Sequence, residues 1–295
     1  IIDIAIFEGQ RPERTSKFYK FKTDSSSVDK VTEDVMKFLD NVLTDFIEKA
    51  PEEFSDAAYS ALRERSVGLG VMGLHSYFQQ KMIPIESVMS KVWNKKIFEH
   101  IQEEVDQASK DLAEERGPCP DAADYGINER FSNKTAIAPT ASISIICGGT
   151  SPGIEPIAAN SFTHKTLSGS FNVRNKYLQQ ILEKYNKNDD ETWSGITTNQ
   201  GSVSHLDFLT QKEKNVFKTA FEINQQWIVE LGADRTPNIS QAQSINIFIP
   251  ADVHKKELHQ IHFQAWKKGL KSLYYCRSKS IQRAENVNGE LSADT

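Results

Sequence analysis

Two stretches of this 295-residue chain carry residue types that could do chemistry. The first is Thr135 to Pro156, TAIAPTASISIICGGTSPGIEP. Its short apolar run Ala136-Ile137-Ala138 reads as a buried strand, and Pro139 ends it because proline cannot donate to a central ladder. Small hydroxyl residues follow (Thr140, Ser142, Ser144), and then Gly148-Gly149-Thr150-Ser151-Pro152-Gly153. A strand that opens into small residues with free backbone amides can wrap an anion such as a phosphate. The same composition also makes ordinary surface loops, and no lysine stands where a phosphate-loop motif needs one. The residues alone leave both readings open.

The second stretch is Ser272-Leu273-Tyr274-Tyr275-Cys276-Arg277-Ser278. It is expected to form a strand with the tyrosines at its C-terminal side. Neighbouring side chains on a strand face opposite ways, so one tyrosine in the core and one half-exposed is the plain expectation. Two adjacent phenols could instead be stepping stones for electrons and protons, and sequence chemistry does not choose between these.

Other candidates are weaker. His254, His259 and His262 share one predicted helix, but there is no HExxH, and they read as a helix face rather than a metal site. Gly68, Gly70 and Gly73 fit GxGxxG literally. A charged helix precedes them where a dinucleotide fold needs a strand, so close packing is the better role for these glycines. Cys119, Cys147 and Cys276 lie far apart and form no CxxC, which suits a reducing compartment and offers no disulfide framework.

The elements that must position these residues follow from periodicity. Val28, Val31, Val35, Leu39, Val42 and Phe46 recur at spacings of three and four, predicting a helix capped by Ser26 or Ser27 and ended by Pro51. A second helix is expected over Ala57–Arg65. A long one is expected over 86–116, with Val88, Val92, Ile97, Ile101, Val105, Ala108 and Leu112 inward, Gly117 as its cap and Pro118 as its stop. Phe162–Arg174 reads as loop and extended chain. Further helices are expected over Gln211–Leu231 and Val253–Leu270, with Ser244–Pro250 as an apolar strand between them. Helix alternating with strand in the C-terminal half favours parallel strands joined by helices, an α/β barrel or wound sheet. Residues 1–27 start strand-like but fit no pattern, and 285–295 form a polar tail expected to be mobile.

Composition sets the class. With 38% hydrophobic and 25% charged residues the chain is an ordinary globular one, and no run approaches a bilayer span. A net charge of −5 argues against broad nucleic-acid binding. Ile1–Phe7 is too short for a signal peptide, and the first residue is Ile rather than Met, as in a fragment or processed piece.

RSVGLGVMGLHSYFQ, TAIAPTASISIICGGTSPGIEP and SLYYCRSKS, in this order and at these separations, resemble the C-terminal half of the class I ribonucleotide reductase catalytic (alpha) subunit. Phage and bacterial forms are the nearest in flavour. The resemblance covers roughly Val28 to Arg283, dividing the chain into an unassigned 1–27, a barrel portion 28–284 and the tail. It implies an α/β fold, the second half of a ten-stranded barrel with long flanking helices. It further implies an oxidoreductase that reduces ribonucleoside diphosphates by a radical mechanism for DNA synthesis. Pro139, Thr140, Ala141, Ser142, Ile143 and Ser144 would contact the substrate diphosphate, and Tyr274 and Tyr275 would relay the radical. The implied partners are a small (beta) subunit holding the metal or radical cofactor, the N-terminal portion of alpha, a second alpha copy and a dithiol reductant such as thioredoxin or glutaredoxin. No cofactor or metal would bind this chain directly, and the location implied is cytoplasmic.

The departures are equally definite. The family's thiyl cysteine lies in Asn-x-Cys-x-Glu, and none of the three cysteines here fits that pattern. The reducing cysteine pair and the tail cysteines are also missing. The chain alone is therefore expected to be inactive without a portion that supplies them. A rival expectation is a structural or interaction subunit left by gene splitting, with no retained catalysis.

Overall fold

A computed structural model describes residues 2–3, 28–166 and 169–278, the side chains of 2–3, 28–30 and 164–171 excepted. The proposed Ser26 or Ser27 cap, the tail and most of 1–27 lie outside the described residues.

Extended segments and helices alternate. They are β1 (Ile2–Asp3), α1 (Val28–Lys49), α2 (Ser55–Glu64), β2 (Val71–Met72), α3 (Leu74–Gln80), α4 (Val88–Arg116), α5 (Pro120–Asp124) and α6 (Ala141–Ile146). There follow β3 (Ser161–Thr166), β4 (Gly169–Arg174), α7 (Lys176–Lys184), α8 (Asp190–Thr198), α9 (Gln211–Val216), α10 (Gln225–Arg235), β5 (Ile247–Ile249), α11 (Lys255–Lys267) and β6 (Cys276–Ser278). β1 pairs with β2, and β5 with β6, both in parallel. Parallel bridges Leu69–Thr135 and Ile137–Gln243 join β2 to β5 through the extended chain around Ala136. The result is a row of parallel segments in chain order, with helices in the crossovers, as the α/β reading requires.

The glycines of the Gly-rich segment make this row possible. A side chain at Gly70 would collide with the Ala136 carbonyl oxygen, and a Cβ at Gly68 would come within 2.9 Å of the Ala136 Cβ. Gly73, at φ 82°, turns the chain from β2 into α3. These glycines serve segment-to-segment contact.

The main core lies between the row and the long helices, drawing on Leu69, Val71, Phe98, Val105, Ile137, Val229 and Ile247. α1 is rotated from its expected phase. Its buried line runs Thr32, Met36, Asp40, while Val42 and Phe46 are exposed. The reason is Asp40, a carboxylate that hydropathy would turn outward. It is buried because Arg65, Arg116 and Arg130 all donate to it. On α4 the stripe from Ile97 to Leu112 is buried as expected, but Val88 and Val92 are exposed. Ser87 caps that helix, accepting from Ser90 N, and Gly117 ends it at φ 84°.

Two expectations need correction. Gln211–Leu231 is two helices, α9 and α10. Thr210 and Glu213 form a capping box that starts α9, and a second T-x-x-E turn, in which the Glu222 carboxylate accepts from Thr219 N and Thr219 Oγ1, breaks the run before α10. Phe162–Arg174 lies within an antiparallel hairpin, β3–β4. Residues 176–198, for which the sequence raised no expectation, form α7 and α8, capped by Asn175 and Asp189. They enclose a second core of Leu178, Leu182, Trp193, Ile196 and Phe217.

Candidate functional site

The tyrosine pair depends on an irregular ladder. β6 is shorter than expected, so Tyr274 and Tyr275 precede the strand instead of closing it. With Ile247 opposite Cys276, and Ile247 N donating to Tyr275 O, a regular parallel ladder would give the Ile245 carbonyl to Tyr275 N. That carbonyl instead accepts from Tyr274 N at 2.8 Å, one residue out of phase. Tyr275 N, displaced from the ladder, donates to the Asn246 side-chain oxygen at 3.0 Å. The effect is that of a β-bulge, which re-aims side chains locally. The expected alternation is cancelled, and both rings lie together, with centroids 4.1 Å apart and a 3.3 Å hydrogen bond from the Tyr274 hydroxyl to that of Tyr275. Both are about half exposed, at 49% and 54%, so neither is the core residue that strand alternation calls for. The hydrogen bond to Tyr275 raises the Tyr274 phenol above its ordinary pKa, because the donor's proton is held. The Arg277 guanidinium sits 5.7 Å over the Tyr275 ring.

The loop is built from the other end of the row. Two residues past the Ile137–Gln243 bridge the chain reaches Pro139 and leaves the row. Thr140 adopts a left-handed conformation at φ 52° ahead of α6, whose N-terminus has no side-chain cap. The Thr140 hydroxyl is instead turned inward, accepting from Gly153 N at 2.6 Å. Ser144 is buried, and its Oγ donates to Ala141 O. Ala141, Ser142 and Ile143 are exposed. So two of the three expected hydroxyls brace the loop, while Ser142 is exposed and the first turn of α6 has no side-chain cap. Lys176 Nζ approaches the Gly148 carbonyl at 3.4 Å, supplying a lysine that sequence spacing did not offer.

The loop is clamped from beneath by α3. Ser76 and Ser151 exchange hydrogen bonds, Ser76 N to Ser151 Oγ at 3.0 Å and Ser151 N to Ser76 Oγ at 2.8 Å. His75 Nδ1 accepts from Ile157 N at 3.0 Å, and burial pushes this imidazole down to about 3, keeping it neutral. Arg235 is buried beside it in the same cavity lining, held by the amide oxygens of Gln243 and Asn94 at 2.6 and 2.8 Å, and burial lowers it to about 9.

Sequence reasoning missed Glu155 and Asn246. Both are buried, and Asn246 Nδ2 donates to the Glu155 carboxylate. Their signal was a polar residue inside an apolar run: Asn in SINIFIP, Glu in GIEP. The three histidines are otherwise engaged. His254 caps α11, His259 stacks on Phe263, and His262 donates to Leu258 O. No group of three or more metal-binding side chains is assembled among the described residues. The three cysteines are free, Cys119 buried, Cys147 half-buried and Cys276 exposed. No helix among the described residues is long and apolar enough to cross a membrane.

A family model of the ribonucleotide reductase barrel domain matches residues 14–126 and 121–276, beginning inside the segment the sequence left unassigned. The ribonucleoside-diphosphate reductase large subunit of Invertebrate iridescent virus 6 is 49% identical over 259 residues, 86% of this chain and 27% of that protein. The one from Invertebrate iridescent virus 3 is 46% identical over 86% of this chain and 41% of its own length. Among solved structures, the alpha subunit of the Actinobacillus ureae class Id ribonucleotide reductase superposes with a TM-score of 0.81 at 34% identity. It covers 94% of this chain and 48% of its own. The chain thus spans about a quarter to a half of the length of these relatives.

Proposed function

Because the chain belongs to the ribonucleotide reductase family through its barrel domain, we propose that it forms the C-terminal half of a large-subunit barrel that reduces ribonucleoside diphosphates to deoxyribonucleoside diphosphates. The row of parallel segments would be half of a ten-stranded barrel. The observation that carries the reading is the tyrosine pair: two half-exposed phenols with touching rings and hydrogen-bonded hydroxyls. Oxidising a phenol is eased when its proton has an acceptor, and the hydrogen bond from Tyr274 to Tyr275 supplies one.

In this reading one electron and one proton leave Tyr275 toward an oxidant held by a separate small subunit, and Tyr274 refills Tyr275. The hole on Tyr274 is then filled by a cysteine, which becomes a thiyl radical and takes the 3′-hydrogen of the ribose. The 2′-hydroxyl departs as water while a dithiol is oxidised to a disulfide. Those cysteines come from a portion outside these 295 residues, since Asn-x-Cys-x-Glu is absent from them. This chain's loop holds the other end of the substrate. The uncapped amides after Thr140, with the Ser142 hydroxyl, suit a diphosphate, and Pro139 and Ser144 fix the loop's course. The partners are therefore a nucleoside diphosphate, a small subunit, the rest of alpha and a second alpha copy, in the cytoplasm.

The test is Tyr274→Phe and, separately, Tyr275→Phe in the complete large subunit assembled with its small subunit. Phenylalanine keeps the ring and removes the ionisable proton, so each variant is expected to bind nucleoside diphosphate normally and to lose turnover. Retained turnover in either variant defeats the relay reading and favours a purely structural role for this half.

A further inference from the structure

Glu155 and Asn246 occupy positions where polar side chains are costly, with 7% and 1% of their surfaces exposed. A buried carboxylate or amide persists only where its hydrogen bonds are made. Both ends of the Asn246 amide are in use. Its nitrogen donates to the Glu155 carboxylate, and its oxygen accepts from Tyr275 N at 3.0 Å. That second bond satisfies the one amide that the bulge removes from the ladder. Without it, Tyr275 N would regain a partner by sliding back onto the Ile245 carbonyl, restoring strand alternation and sending the two rings to opposite faces.

Asn246 can serve the bulge only while its oxygen points at Tyr275. Glu155 fixes that orientation, because a carboxylate accepts and cannot donate, so only the amide nitrogen can face it. Glu155 is in turn fixed by the loop. Its own N–H donates to Pro152 O at 3.0 Å, and two residues earlier Gly153 N is held by the Thr140 hydroxyl at 2.6 Å. Burial raises the Glu155 carboxyl above its ordinary range, while the Asn246 bond and the Arg277 charge act against that rise.

We propose that Glu155, acting through Asn246, is a positioning residue for the tyrosine pair, holding both rings on one side and tying their backbone to the loop that begins at Thr140. Its catalytic consequence rests on the reductase reading, whereas the link itself does not.

The experiment has two stages. In the full chain, hydrogen exchange of the Tyr275 amide and phenolate absorbance of Tyr274, assigned with Tyr274→Phe, are followed in Glu155→Ala, Glu155→Gln and Asn246→Ala. Either alanine is expected to speed the exchange by about five- to tenfold, the equivalent of one hydrogen bond, and to return Tyr274 toward ordinary titration. Glu155→Gln retains an acceptor oxygen and is expected to preserve both. Should an alanine variant not fold, Asn246→Asp sets two carboxylates face to face and is expected to disturb both readouts, and adding Glu155→Gln restores a donor and both signals. Unchanged exchange and titration across these variants overturn the link. In the complete reductase, Glu155→Ala is expected to lower kcat with KM for the nucleoside diphosphate held, with rescue by Glu155→Gln. A risen KM with kcat kept would make Glu155 a loop residue only and overturn the proposal. If the unsubstituted complete enzyme reduces no nucleotide, the reductase reading falls along with the catalytic consequence, and the first stage still decides the link.

Discussion

Replacing Asp40 by Asn tests how much one buried carboxylate holds together. Its side chain has no exposed surface and takes Arg65 Nε at 2.9 Å, Arg116 Nη1 at 2.8 Å and Arg130 Nε at 2.8 Å. These arginines come from the end of α2, the end of α4 and the loop before the extended chain around Ala136, so the contact joins four pieces of chain. Asp40→Asn keeps the shape but removes the only charge on which three partly buried cations converge, and it turns an amide donor toward guanidinium donors. Leaving buried charge without its partner costs about 3–5 kcal/mol. For a chain of this size that corresponds to a midpoint lowered by about 6–20 °C. Burial alone would raise the Asp40 pKa, but the bonds from Arg130 and Arg116 and the charge of Arg65 outweigh it and hold the carboxyl below its ordinary value. A carboxyl depressed in the folded state contributes stability above its unfolded pKa, and that contribution is lost as pH falls through the lower, folded value. Urea unfolding at pH 7 and at successively lower pH should therefore show a large gap between the native chain and Asp40→Asn, narrowing below about pH 4. A gap under about 1 kcal/mol at pH 7, the size of an exposed ion pair, would refute this account.

Gly70→Ala is expected to cost about 1–3 kcal/mol or prevent folding, since the added methyl meets a main-chain carbonyl that cannot rotate away; a native urea midpoint would contradict the close approach of Gly70 to the extended chain around Ala136. His75 should remain neutral at pH 5 with its proton on Nε2, because Nδ1 accepts from Ile157 N, and nitrogen-detected NMR reads this directly. Since burial lowers its folded pKa to about 3 from 6.5, stability should fall as pH drops between those values, and His75→Gln should flatten that slope. A His75 signal titrating near 6.5 would show the ring to be solvated.

Long helices were legible because repeated burial leaves a period, as from Ile97 to Leu112. The exceptions lie where a polar side chain is buried or caps the backbone. Asp40 rotated the apparent stripe of α1, and the threonine–glutamate turn at 219–222 cut a run whose hydropathy looked continuous. The motif residues stood out in the sequence, but their geometry did not. Which hydroxyls of the Pro139–Ser144 loop face outward depends on Gly153, and the phase of the tyrosines depends on a one-residue slip against β5. A slip of ladder phase has no composition. Asn246 was its only trace, a polar residue in an apolar strand.

β6 has three residues, all exposed, and its described ladder bonds run to β5 on one flank only. A long apolar strand so placed would be a template for pairing with any passing chain. Here the hazard is limited by charge and by the irregular ladder: Arg277 sits at the centre of the described strand, and the bulge lies just before it. The irregularity that gathers the two phenols therefore also shortens the adhesive margin of the sheet, so restoring a regular ladder at Tyr275 would lengthen that margin and raise the tendency to self-associate.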